Sequence, residues 1–140
     1  MLDPSLKEEP YPFQTVLGFA VLDWSDGYCR LEQPMVPHIN NRNGIPHGGL
    51  HATLLDTAMG YAVCYTGDPD DRQTGMTLSL NVQYLAVAKG KTLIAEGRRT
   101  GGGRTNVFTE GEIRDETGNL IATATAVFRL RGRTKGLNHG

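Results

Sequence analysis

The stretch from Asn41 to Gly60 constrains this chain more than any other: Asn-Arg-Asn-Gly-Ile-Pro-His47-Gly48-Gly49-Leu50-His51, running into Ala-Thr-Leu-Leu-Asp56-Thr-Ala-Met-Gly60. A loop rich in Asn, Gly and Pro gives way to a His-Gly-Gly turn. From Gly48 onward, Leu50, Leu54, Leu55, Ala58, Met59, Ala62 and Val63 recur at three- and four-residue spacing. That period predicts one amphipathic helix of about 18 residues, roughly 27 Å long, enough to lie across a whole sheet. Gly67-Asp68-Pro69 is its exit. Asp56 sits inside it beside Ala52, Thr53 and Gly60, and an ionised group among such neighbours is costly unless something stabilises or uses it.

The rest of the chain reads as strands. Gly18 to Trp24 and Tyr28 to Val36 are rich in β-branched and aromatic residues, and Ser25-Asp26-Gly27 between them is a hairpin signal. Pro12 to Leu17 suits one short helical turn, and Pro37 to Pro46 a loop. After the helix come Thr77 to Leu85, Lys91 to Thr100, Thr105 to Arg114 and Leu120 to Leu130, which we expect as an antiparallel meander. On Thr77 to Leu85 strict alternation puts Leu78, Leu80, Val82 and Tyr84 on one face, and Thr77, Ser79, Asn81 and Gln83 on the other. The last strand shows Ala122, Ala124 and Ala126 on one face, room for a helix to approach. One helix segregated from a run of strands is α+β.

The 140 residues suit one domain, expected over 15–131, with an arm at 1–14 and a basic tail at 132–140. Arg129, Arg131, Arg133 and Lys135 are expected to be solvated there, and Asp68, Asp70 and Asp71 to form an exposed loop. A net charge of −1 gives no general attraction to nucleic acid. No apolar run is long enough to cross a bilayer, no leader is seen, and Cys29 and Cys64 lack metal spacing, so we expect a cytoplasmic protein without membrane partners. A modest core and exposed sheet edges favour a homo-oligomer.

The central segment admits specific chemistry. The first N–H groups of a helix lack intrahelical partners and carry the positive end of its dipole, and Gly48 and Gly49 leave them unobstructed. Such donors could polarise a carbonyl or hold an oxyanion, although the same glycines would also serve a tight entry. Asp56 could act as a general base or nucleophile, or stand in solvent. His47 and His51 are four apart, but Gly48 replaces the glutamate of HExxH, and no metal is expected. Gly101-Gly102-Gly103-Arg104 precedes no helix and reads as a turn.

Asn41, then His47-Gly48-Gly49, Asp56, Thr77 and Gln83-Tyr84-Leu85, at these spacings, resembles the hotdog-fold acyl-CoA thioesterases of the phenylacetate-pathway (PaaI-like) branch. The likeness extends over roughly 15–130. It implies one long central helix wrapped by a six-stranded antiparallel sheet, in dimers or dimers of dimers with active sites at the subunit interface. It further implies that Gly48 polarises the thioester carbonyl, Asn41 orients it, Asp56 activates water or attacks, Thr77 positions the water and His47 gives support. Gly49, Ser79, Tyr84, Gly103, Arg104 and Thr105 fall where substrate or CoA contacts are implied. CoA enters as part of the substrate, and no cofactor is implied. Where the family often has proline after the Tyr-Leu pair, this chain has Val87.

The expected activity is hydrolysis of an acyl- or aryl-CoA thioester to the free acid and CoA. Two alternatives on the same fold are a 3-hydroxyacyl-CoA dehydratase or enoyl-CoA hydratase, and a non-catalytic module that binds CoA thioesters.

Overall fold

The computed structural model describes residues 1–135. A 3₁₀ turn at Pro4–Leu6 and a short helix α1 (Pro12–Leu17) precede the hairpin β1 (Ala20–Ser25) and β2 (Tyr28–Pro34). The long helix α2 (Gly48–Cys64) comes next, then β3 (Gln73–Tyr84), β4 (Thr92–Gly102), β5 (Asn106–Asp115) and β6 (Leu120–Arg133). All pairings are antiparallel, in the order β1-β2-β4-β5-β6-β3. This is the α+β hotdog architecture, one helix held in the curve of a single six-stranded sheet. No helix of the described residues is long and apolar enough to cross a membrane.

The apolar stripe of α2 is buried as its period requires, from Leu50 to Val63. The sheet meets it through small residues. Ala122, Ala124 and Ala126 of β6 are buried, as expected. The closest approach, however, is at Gly97 of β4, where a Cβ would stand 2.5 Å from the backbone of Ala58. Only glycine fits there.

Strands three to six do not form an unbroken meander. β3 pairs with β6 at the far edge, and β4 lies between β2 and β5. The connection from Tyr84 to Thr92 therefore crosses the β5–β6 turn, and its amides are satisfied there. Leu85 and Ala86 donate to the Ile121 carbonyl, Lys89 to Asp115, and Lys91 and Thr92 to Glu116. Gly90 lies at φ +96°, where a Cβ would collide with the Glu116 carboxylate.

Several strand boundaries also move, β1 starting at Ala20 and β2 ending at Pro34 among them. β4 runs through Gly102, so its turn lies at Gly103 to Thr105. β3 starts at Gln73, and β6 continues to Arg133. The segment Asp68 to Asp71 is not wholly exposed. Asp71 is buried against the Arg133 guanidinium and the Lys135 N–H, and Asp68 accepts from Lys135 Nζ at 2.9 Å. These bonds hold both carboxyls below the usual range, so Arg133 and Lys135 are tied down rather than freely solvated. The remainder of the expected tail lies outside the described residues.

Candidate active site

The entry to α2 is built by side chains that replace missing backbone partners. His47 is the N-cap, and its Nδ1 accepts from the Gly49 N–H at 2.8 Å. Gly49 is thereby committed within the chain, and a Cβ there would press on the same ring at 2.9 Å. Among the described residues the Gly48 N–H takes no partner, leaving it as the donor at the positive end of the helix dipole. Tyr84, on β3, donates its hydroxyl to the Gly48 carbonyl at 2.6 Å, and a Cβ added at Gly48 would meet its ring at 3.4 Å. His51 is buried, with Nδ1 3.1 Å from the His47 carbonyl; burial pushes it below the usual imidazole range.

The loop before the helix is shaped by Asn41. Its Oδ1 accepts from the N–H of Asn43 at 2.8 Å and of Ile45 at 3.4 Å. With that oxygen engaged by the turn, the amide Nδ2 is the end that could meet a ligand.

Two helical turns further, Thr77 Oγ1 donates to Asp56 Oδ1 at 2.6 Å. Strict alternation had put Thr77 on the face away from Leu80, Val82 and Tyr84. The observed strand has a register shift between Thr77 and Ser79, and this bulge brings Thr77 round to the helix side. It stands opposite buried Phe128, just as Leu80, Val82 and Tyr84 stand opposite the buried alanines. Ser79 stays on the outer face with Asn81 and Gln83, away from Asp56. Asp56 is half-buried, and its Oδ2 takes no partner among the described residues. A water there could give a proton to Oδ2 while Thr77 Oγ1 accepts its second hydrogen bond.

A cavity of about 610 Å³ opens beside this pair. It runs from Asp56 and Thr77 along Gly60 and Phe128 to Trp24 and Tyr61. Gly60 is legible in the sequence as a small neighbour of Asp56, whereas no local pattern points to Phe128, Trp24 or Tyr61. Another hollow, of about 520 Å³, lies on the outer face of the sheet among Glu96, Arg98, Glu110 and Glu112, remote from Asp56 and Gly48. Gly103, Arg104 and Thr105 form the exposed β4–β5 turn. Earlier on β4, Arg99 donates to the Val63 carbonyl at 3.3 Å, at the C-terminal end of α2.

Within one chain the residues thus fall into two groups. Asn41, His47, Gly48 and Tyr84 gather at the start of α2, while Asp56 and Thr77 meet at its middle, about two turns or roughly 12 Å along the axis.

A sequence model of the Thioesterase superfamily matches residues 43–122, more than half the chain and the whole span from the helix entry to β6. The chain belongs to the thioesterase superfamily. Human acyl-coenzyme A thioesterase 13 is 30% identical to it over 115 residues, covering 79% of each chain. The crystal structure of the BH2602 protein from Bacillus halodurans with CoA is 32% identical, with a TM-score of 0.65 over 72% of this chain and 66% of that one. The E. coli PaaI protein superposes with a TM-score of 0.75 over 86% and 84% of the two chains, and its 18% identity speaks for the fold. As a member of this superfamily the chain is a thioester hydrolase.

Proposed function

We propose that the chain hydrolyses acyl-CoA thioesters, with Asp56 as general base on a water held by Thr77. The observation that carries this reading is the 2.6 Å bond from Thr77 Oγ1 to Asp56 Oδ1, beside a cavity with room for an acyl group. Thr77 spends its proton on the carboxylate and keeps a lone pair for the water, which favours the base role over direct attack. The similarity to an acyl-coenzyme A thioesterase and to a protein crystallised with CoA supports CoA as the thiol.

The chemistry asks for little else. A thiol leaving group has a pKa of about 8.5, so it departs as thiolate without a dedicated acid. Attack by water places negative charge on the former carbonyl oxygen, and the free Gly48 N–H is suited to receive it. Asn41 Nδ2 would orient the thioester. Neither a metal nor a cofactor is required.

The separation of roughly 12 Å between Gly48 and Asp56 is too large for both to act on one carbonyl. A second copy of the chain resolves this by bringing its Gly48 and Asn41 to the first copy's Asp56, and edge strand β3 offers unpaired backbone groups for such an association. The dehydratase alternative loses support, because His47 Nδ1 is already held by the Gly49 N–H as the helix cap, and the side chain bonded to Asp56 is the Thr77 hydroxyl.

The test is a thiol-release screen over short, medium, long-chain and aromatic CoA thioesters, with enoyl-CoA hydration measured in parallel. The reading predicts thiol release without hydration. Tight CoA-thioester binding with no turnover would replace it by the binding-module alternative.

A further inference from the structure

The first eleven residues, within the 1–14 stretch expected as an arm, are fastened along the cavity that begins at Asp56. Leu2 N–H donates to the Leu22 carbonyl at 3.1 Å, and Asp3 caps the turn Pro4–Leu6 through the Ser5 N–H at 2.9 Å. Leu6 is buried. Glu8 pairs with Arg72 at 3.4 Å, clasping the arm to the segment that leads into β3. Tyr11 follows, its ring edge-on to buried Phe19 at 6.1 Å. Tyr11 lines the same cavity as Asp56 and Thr57, and its partial burial there raises the phenol above its usual range.

This arm is a wall rather than filled core. On one side lies the cavity of about 610 Å³, to which Leu6, Glu8 and Tyr11 contribute. On the other lies a hollow of about 220 Å³, bounded by Leu6 and Pro10 together with Phe19 and Val21. A segment with space on both sides is held by its few fastenings, and close packing does not fix its position. The cavity floor from Asp56 to Tyr61 is helical, and β6 contributes Phe128 from the sheet. Two walls are built into neither α2 nor the sheet, the arm and the connection from Thr66 to Arg72, and Glu8 clasps the first to the second at Arg72.

We propose that the arm is the stop that sets acyl-chain length, admitting a medium-length apolar acyl group whose distal end rests on Leu6, Trp24 and Tyr61. This deepens the thioesterase reading and rests on it. The thioester carbonyl sits at Asp56, the acyl chain runs over Gly60, and a longer chain meets Leu6 before its carbonyl can reach Asp56. Gly60 is suited to such a floor, since a Cβ there would stand 3.4 Å from the Phe128 ring and narrow the passage.

The test measures kcat/KM by thiol release from butanoyl-CoA through hexadecanoyl-CoA, for the unaltered chain, Leu6→Ala and Arg72→Ala. Leu6→Ala shortens the stop. Arg72→Ala cuts the clasp at Glu8 from an exposed position and leaves the core intact. Filling or clearing methylene-sized space in an apolar pocket discriminates substrates by about tenfold or more. The expected result is therefore a rise of at least that size in the hexadecanoyl-to-octanoyl ratio of kcat/KM in one or both variants. A destabilised scaffold alone would lower all rates together and leave the ratio unmoved. An unchanged ratio in both variants, with thiol release intact in the unaltered chain, overturns the arm proposal alone. No release from any thioester by the unaltered chain overturns the hydrolase reading, and the arm proposal with it.

Discussion

Thr77 meets Asp56 because β3 is bulged between Thr77 and Ser79, which rotates a residue due to face outward onto the helix side. The carboxylate therefore has one oxygen fixed and one free. A hydrogen bond to a charged group is worth about 1.5–3 kcal/mol, or roughly ten- to a hundredfold in rate when it acts on the transition state. Thr77→Ala should lower kcat for thiol release by that factor, and Thr77→Ser should recover most of it. Equal loss in Ser and Ala variants would show that the hydroxyl is not what matters at this position.

At Gly97 the sheet touches the helix backbone. A methyl group there would stand 2.5 Å from Ala58, with no flexible side chain to yield. Overpacking typically costs about 1–3 kcal/mol, and a clash with backbone falls at the upper end or beyond. Gly97→Ala is thus expected to shift the chemical-denaturation midpoint strongly or abolish folding. Gly103→Ala, at an open turn position with nothing within 4 Å, should leave it nearly unchanged. Similar midpoints for both variants would contradict the close crossing of β4 and α2.

Asp115 gathers the Thr117 hydroxyl at 2.5 Å and the N–H groups of Lys89, Thr117 and Asn119, so it ties the β3–β4 crossover to the β5–β6 turn. The Thr117 hydroxyl first, then these backbone donors, hold its pKa at about 2, against an ordinary value of 3.8. A carboxyl lowered by folding stabilises the fold above its unfolded pKa, and that contribution fades as pH falls from about 4 toward 2. Asp115→Asn should be less stable than the unaltered chain at neutral pH, and the gap should narrow across that window. Denaturation midpoints at a series of pH values check this, and a gap of constant size would count against the assignment.

The parts of this molecule that depend on near neighbours in sequence were legible without coordinates. The α2 stripe, the Asp26-Gly27 hairpin and the alanine face of β6 each follow from a local period or turn preference, and each is present. So was the motif from Asn41 to Thr77. What escaped are relations set by distant contacts. The edge position of β3 depends on a crossover fastened by Asp115 and Glu116, and alternation alone would have sent Thr77 to the wrong face. Asp71 looked exposed because its partner Arg133 is far away in sequence. Trp24, Tyr61 and Phe128 line a cavity together only because three separate elements converge there.

Asp56, as the group that acts on water, is the centre of the proposed mechanism. Replacing it by Asn keeps the shape and the Thr77 contact while removing the basic oxygen, and general-base catalysis contributes about a hundred- to ten-thousandfold. The decisive measurement is thiol release by Asp56→Asn from the best CoA thioester of the panel, with folding checked by its thermal transition. A folded variant whose kcat falls by that factor is the predicted result. A folded variant that releases CoA at the rate of the unaltered chain would contradict the mechanism at its centre.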